Sequence, residues 1–179
     1  ALARLFYYLS DYPKRANPTQ LLFHMATGSG KTLIMAAAIL YLYQQGYRNF
    51  IFFVHLDNII QKTRENFLNP LSSKYLFAES IKFGSQEVHL REVDNFQSAH
   101  DDDIRIIFTT IHGLHSRLNA PRENSLTYED FEDRDIVLIS DEAHHINALT
   151  KKQLTKTETE DMTTWEATVN RIFSSRPGN

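Results

Sequence analysis

The seven residues Ala26-Thr27-Gly28-Ser29-Gly30-Lys31-Thr32 constrain this 179-residue chain more than any other feature. They lie between a short apolar run, Leu21-Leu22-Phe23, and a stretch of helix formers, KTLIMAAAILYLYQQ. Glycines let a backbone wrap closely around an anion, successive N–H groups point inward as a nest, and a helix that starts at the loop adds partial positive charge. A lysine and a threonine at the end of such a loop match the chemistry of a triphosphate with Mg²⁺: Lys31 spans the β- and γ-phosphates and the Thr32 hydroxyl ligates the metal. The general pattern G-x-x-x-x-G-K-[ST] asks for glycine at position 25, where this chain has Met25.

The runs Phe50–Val54, Ile104–Phe108 and Ile136–Ile139 join Leu21–Phe23 as candidate strands. Continuous apolarity marks strands buried on both faces, which belong to parallel sheets covered by helices. The expectation is therefore an α/β fold, with a helix after the first run that places Leu33, Ala37, Leu40 and Tyr41 on one face and stops at Gly46. Asp57 is expected to cap a second helix through Phe67, with Ile60, Thr63 and Phe67 inward and Pro70 ending it. An edge strand is expected around Ser80–Phe83. Residues 150–164, polar and Thr-rich, read as a mobile surface segment, and Trp165, Val169, Ile172 and Phe173 resume a helical pattern. The length fits one domain, 1–179.

Asp141 and Glu142 follow the run Ile136–Ile139, so both carboxylates are predicted at the C-terminal end of a strand, where open α/β sheets place their ligand crevice. Asp141 suits the metal and Glu142 suits the base that orients and deprotonates an attacking water. Pairing with Lys31 is what separates this reading from ordinary acidic helix capping.

Composition narrows the classes. Hydrophobic residues make up 42% and charged residues 23%, which argues against a disordered or coiled-coil chain, and no apolar run reaches 18 residues. Without cysteine there is no thiolate metal site or disulfide, and a cytoplasmic setting is the expectation. The net charge of −3 is uneven: residues 1–64 carry seven Lys/Arg against two Asp/Glu, and residues 101–145 carry four against eleven. An acidic total disfavours a broad non-specific nucleic-acid surface and leaves room for a local groove. His112 with His115, and His144 with His145, invite a zinc reading, but no third ligand set stands at a recognisable spacing, so capping or packing roles are expected. Arg4, Lys14 and Arg15 read as a solvated basic stretch. The chain starts at Ala1 with no basic leader and reads as a fragment excised from a longer protein.

MATGSGKT and DEAHH together resemble motifs I and II of superfamily 2 helicase-like ATPases, in which Ala or Met-Ala commonly precedes Thr-Gly, so Met25 fits that subclass. HMATGSGKT, FIFFVHLDNIIQKTRENF, IIFTTIH, SDEAHHINA and WEATVNRIFSSRPGN more closely resemble the Res subunit of type III restriction enzymes, from about Gln20 to Asn179 with residues 71–100 matched least. The resemblance implies a RecA-like N-terminal ATP-binding domain of a DNA-dependent translocase, with ATP and Mg²⁺ as cofactors. It implies that Ala26 to Thr32 hold the triphosphate, Thr32 and Asp141 the metal, and that Glu142 activates water. His144 would couple the nucleotide site to a partner lobe, and Val54 to Asp57, with His55, and Thr109-Thr110 match segments that touch a nucleic-acid backbone. For Thr109 and Thr110, a helix cap after a buried strand is an equal alternative.

The same resemblance implies duplex DNA, a second RecA-like lobe, a downstream nuclease domain and a modification methyltransferase subunit as partners, and no membrane. It places the chain's end before a Thr-Ala-Thr motif, so that nucleotide binding without the second lobe's arginine finger should exceed turnover. Gln20 stands too close to Lys31 to be the adenine-reading glutamine of many relatives. An RNA helicase or DNA-repair translocase with the same motifs, and a nucleotide-gated binding module that does not move along a strand, remain alternatives.

Overall fold

The computed structural model describes residues 1–13, 19–97, 102–120, 122–141 and 156–175, the last stretch with side chains from residue 166. Its elements run α1 (Leu2–Ser10), α2 (Lys31–Gln44), β1 (Asn49–Val54), α3 (Asp57–Leu68), β2 (Ile81–Phe83), β3 (Gln86–Val88), β4 (Leu90–Glu92), β5 (Ile104–Thr110), α4 (Ile111–Asn119), α5 (Tyr128–Asp133), β6 (Ile136–Ser140) and α6 (Lys156–Ser175). Strands β4-β5-β1-β6, in that order, form a parallel sheet, and β2 and β3 form a separate antiparallel pair. This is the α/β class expected of the apolar runs.

Strand β1 shows why. All six residues of NFIFFV are buried, and their alternation sends Phe50, Phe52 and Val54 to one face and Ile51 and Phe53 to the other. The first face packs against Ala36, Ile39 and Tyr43 of α2 and Ile60 and Phe67 of α3. The second packs against Ile111, Leu114 and Leu118 of α4, Phe131 of α5 and Ile172 of α6. Each fully buried Phe or Ile contributes about 1.5–3 kcal/mol, so the two-sided burial of β1 and β5 is the main anchor of the domain.

Several local expectations are corrected. Leu21–Phe23 pairs with no strand among the described residues, and Leu22 is 73% exposed. A strand exists only through a ladder, and a three-residue apolar run carries no information about whether a partner edge is present. Helix α2 buries Ala36, Ile39 and Tyr43 and leaves Leu33 exposed, because the helix is apolar nearly all round and its tertiary neighbours select the face. Its Tyr41 side is covered by α1, where Phe6 stacks on Tyr41 at 4.1 Å and the Ser10 and Tyr41 hydroxyls meet at 3.1 Å. Asp57 is the first residue of α3, beside the dipole's positive end, and Leu56 occupies the cap position; Ile60, Thr63 and Phe67 are buried as expected.

The strand near Ser80–Phe83 is β2, turning through Gly84 at φ +62° into β3 outside the main sheet, whose edge strands are β4 and β6. Of the segment expected to be a mobile surface stretch, 150–164, the part from Lys156 is α-helical, since low apolar content removes a reason for burial and not a reason for helicity. Among its residues from 166 onward, Thr168 and Ile172 are buried, and Phe173 packs beside them.

Asp103 joins β4 to β5. Its carboxylate accepts from the His89 backbone N–H at 2.8 Å and from the Arg91 guanidinium. Burial pushes this carboxyl upward, but the Arg91 hydrogen bond, the His89 N–H and the charges of both residues outweigh it and hold it below the usual carboxylate range.

Candidate functional site

Residues Ala26 to Gly30 form an exposed turn that leads straight into α2. Gly28 at φ +77° and Gly30 at φ +86° both occupy left-handed backbone, which β-carbons disfavour. A Cβ at either position meets nothing within 4 Å, so conformation and not crowding demands glycine here. Ser29 closes the turn: its N–H and its hydroxyl both donate to the Ala26 carbonyl, at 3.2 and 2.6 Å. Gly30 is the N-cap of α2 and supplies no side-chain cap, so the first amides of the helix retain the donor character that suits a phosphate. Lys31 and Thr32, both half-buried, occupy the first turn. These are the donors a triphosphate with Mg²⁺ requires, and the left-handed glycines, uncapped helix start, lysine and hydroxyl fit that group.

The topology carries this loop to the right edge of the sheet. Gln45 to Arg48 is a short link, so α2 runs back along β1. Its 14 residues rise about 21 Å, and six strand residues about 20 Å. The N-terminus of α2 is therefore level with the C-terminal end of β1 and of its parallel neighbour β6. Asp141, half-buried, follows β6 at that end, so Lys31, Thr32 and Asp141 share one edge of the sheet. Glu142 and His144 lie outside the described residues.

The residues matched to nucleic-acid contacts share the same edge. Val54, with a fully buried side chain, and half-buried His55 end β1, and Thr109 and Thr110 end β5 in register with Phe53 and Val54. The Thr110 hydroxyl accepts from Gly113 N–H at 3.0 Å and so caps α4, while Thr109 is buried and its hydroxyl donates to the Thr110 carbonyl at 3.2 Å. The Thr110 hydroxyl follows the helix-cap alternative, and the Thr109 hydroxyl bonds the Thr110 carbonyl instead.

Two features escaped the sequence reading. His112, in the first turn of α4, brings its ring to 6.4 Å from that of His55. Gly113 is constrained by contact: a Cβ there would sit 2.6 Å from Thr109 Oγ1 and 3.1 Å from Thr110 Oγ1. A glycine at the third position of a helix was the available signal. Gly113→Ala should lower stability by about 1–2 kcal/mol in a denaturant titration, although alanine is the better helix former by about 1 kcal/mol. The loss should shrink by more than half in a Thr109→Ala background; an undiminished loss would show that the clash is elsewhere. His115 is a packing residue, its Nδ1 2.8 Å from Thr168 Oγ1 on α6. Among the described residues no three His, Asp or Glu side chains form a metal-binding group. No helix among them is long and apolar enough to cross a membrane.

Comparison with known proteins adds the family. The chain is 48% identical over 144 residues to a protein of Haemophilus influenzae described as a probable type III restriction-modification enzyme HindVIP Res subunit. The match covers 80% of this chain and 28% of that relative, so the chain spans under a third of the relative's length. No solved structure shows significant similarity. The family model described as type III restriction enzyme, res subunit, matches residues 2–173, nearly the whole chain, and the chain belongs to that family.

Proposed function

We propose that this chain is the ATP-binding, RecA-like motor domain of a DNA-dependent ATPase, the restriction subunit of a type III restriction-modification system. The observation that carries the reading is the placement of a left-handed glycine loop, an uncapped helix N-terminus with Lys31 and Thr32, and Asp141 toward one end of a parallel sheet. Residues Ala26 to Thr32 bind the triphosphate, the loop amides and Lys31 setting its position. Thr32 and Asp141 hold Mg²⁺, which when bound offsets phosphate charge. Glu142, next to Asp141, orients a water and accepts its proton. His144 couples this site to a second RecA-like lobe.

Duplex DNA, held mainly by its backbone, crosses the edge at Val54, His55, Thr109 and Thr110. Because the Val54 and Thr109 side chains are buried and the Thr110 hydroxyl caps α4, His55 supplies the side-chain contact and the others contribute main-chain groups. A downstream nuclease domain and a modification methyltransferase subunit complete the system, in the cytoplasm.

The test is steady-state ATP hydrolysis by the full-length protein, with and without the methyltransferase subunit, comparing no nucleic acid, duplex DNA and RNA, with Lys31→Ala as the blank. Duplex DNA should raise turnover at least about tenfold. Stimulation by RNA alone would replace this reading with an RNA helicase, and hydrolysis indifferent to both would leave a nucleotide-gated module.

A further inference from the structure

Ser29 is spent on the loop itself. Its N–H and its hydroxyl converge on one acceptor, the Ala26 carbonyl, at 3.2 and 2.6 Å. The N–H contact closes a four-residue turn, Ala26 to Ser29, with Gly28 at φ +77° in the position where a type II turn needs positive φ. An anion nest works by directing successive N–H groups at the ligand, and here one N–H of the series is directed at Ala26. The hydroxyl reinforces that arrangement with the shorter of the two bonds. Nothing in the fold requires the hydroxyl: the residue is exposed, and Gly28 and Gly30 set the backbone angles on either side.

We propose that Ser29 is a positioning residue that acts as a latch: its hydroxyl stabilises a closed form of the phosphate loop in which the Ser29 amide is withheld, and nucleotide entry must displace it. This rests on the reading of the loop as a triphosphate site. A ligand whose competent state is only partly populated binds with an affinity reduced by that fraction, so weakening the closed form raises affinity. Removing one hydrogen bond from the closed form predicts about two- to tenfold tighter binding. The sign is diagnostic, because general damage to a binding loop weakens binding.

The experiment measures equilibrium affinity and association rate of a fluorescent ATP analogue in the full-length protein, for the parent, Ser29→Ala and Ser29→Thr, with Lys31→Ala as the non-binding reference. Thermal melting checks that each is folded. The expected result is tighter binding and faster association for Ser29→Ala, with Ser29→Thr, which keeps a hydroxyl, binding less tightly than Ser29→Ala. Equal or weaker binding by Ser29→Ala, or a threonine variant that behaves like alanine, overturns the latch while leaving the nucleotide site intact. A parent that binds no better than Lys31→Ala overturns the nucleotide reading, and the latch falls with it.

Discussion

Lys31→Ala should reduce the affinity of the full-length protein for ATP by at least about 100-fold, measured by titration with a fluorescent analogue. The lysine begins α2, directly after the left-handed Gly30, with its ammonium as the formal cation of the loop. A charge-assisted hydrogen bond to a phosphate is worth about 1.5–3 kcal/mol, and loss of the countercharge leaves phosphate repulsion unopposed, which together reach the hundredfold range. Fold stability provides the control. Lysine and alanine are both good helix formers, and Lys31 is half-buried and outside the two core clusters. Melting should therefore shift by less than about 2 °C, which separates loss of a ligand contact from loss of structure. Binding within threefold of the parent would remove Lys31 from the site.

What the residues disclosed in advance, and what they did not, follows from the kind of interaction involved. Strands β1 and β5 were legible because burial on both faces demands continuous apolarity, and FIFFV and IRIIF carry it, while half-buried β6 carries the same pattern in IVLI. Arg105 sits inside the second run at 4% exposure and did not disturb it. The glycine turn before α2 was legible for a different reason: Gly28 and Gly30 adopt positive-φ angles that residues with a β-carbon disfavour. Leu21–Phe23 has the same composition and no strand, because pairing is a property of two segments and composition belongs to one. The buried face of α2 was misread for a related reason, as a helix apolar all round takes its inward face from α1 and the sheet. Gly113 and the Ser29 latch depend on contacts of a few ångströms that no spacing rule encodes. At the ends of β1 and β5, the family resemblance implied contact by Thr109 and Thr110; in the fold the Thr110 hydroxyl caps α4 and the Thr109 hydroxyl bonds the Thr110 carbonyl.

Glu142→Gln should leave ATP affinity within about threefold of the parent and lower turnover by about 10²- to 10⁴-fold, the usual contribution of a positioned base. Glu142 follows Asp141 directly in the sequence, and Asp141 is the residue that follows β6. On the proposed reading the two carboxylates divide their work: Asp141 would hold the metal and so contribute to binding, whereas Glu142 would act on a water that becomes reactive only when the site is assembled. Glutamine preserves shape and hydrogen bonding but cannot accept a proton at neutral pH, which is why the loss falls on kcat and not on affinity. The measurement is single-turnover hydrolysis under DNA stimulation beside equilibrium binding on the same preparations. A variant that hydrolyses at the parental rate would take the base role from Glu142. A variant that binds ATP as poorly as Lys31→Ala would instead place Glu142 among the groups that hold the metal, because only a shared binding role links the two losses.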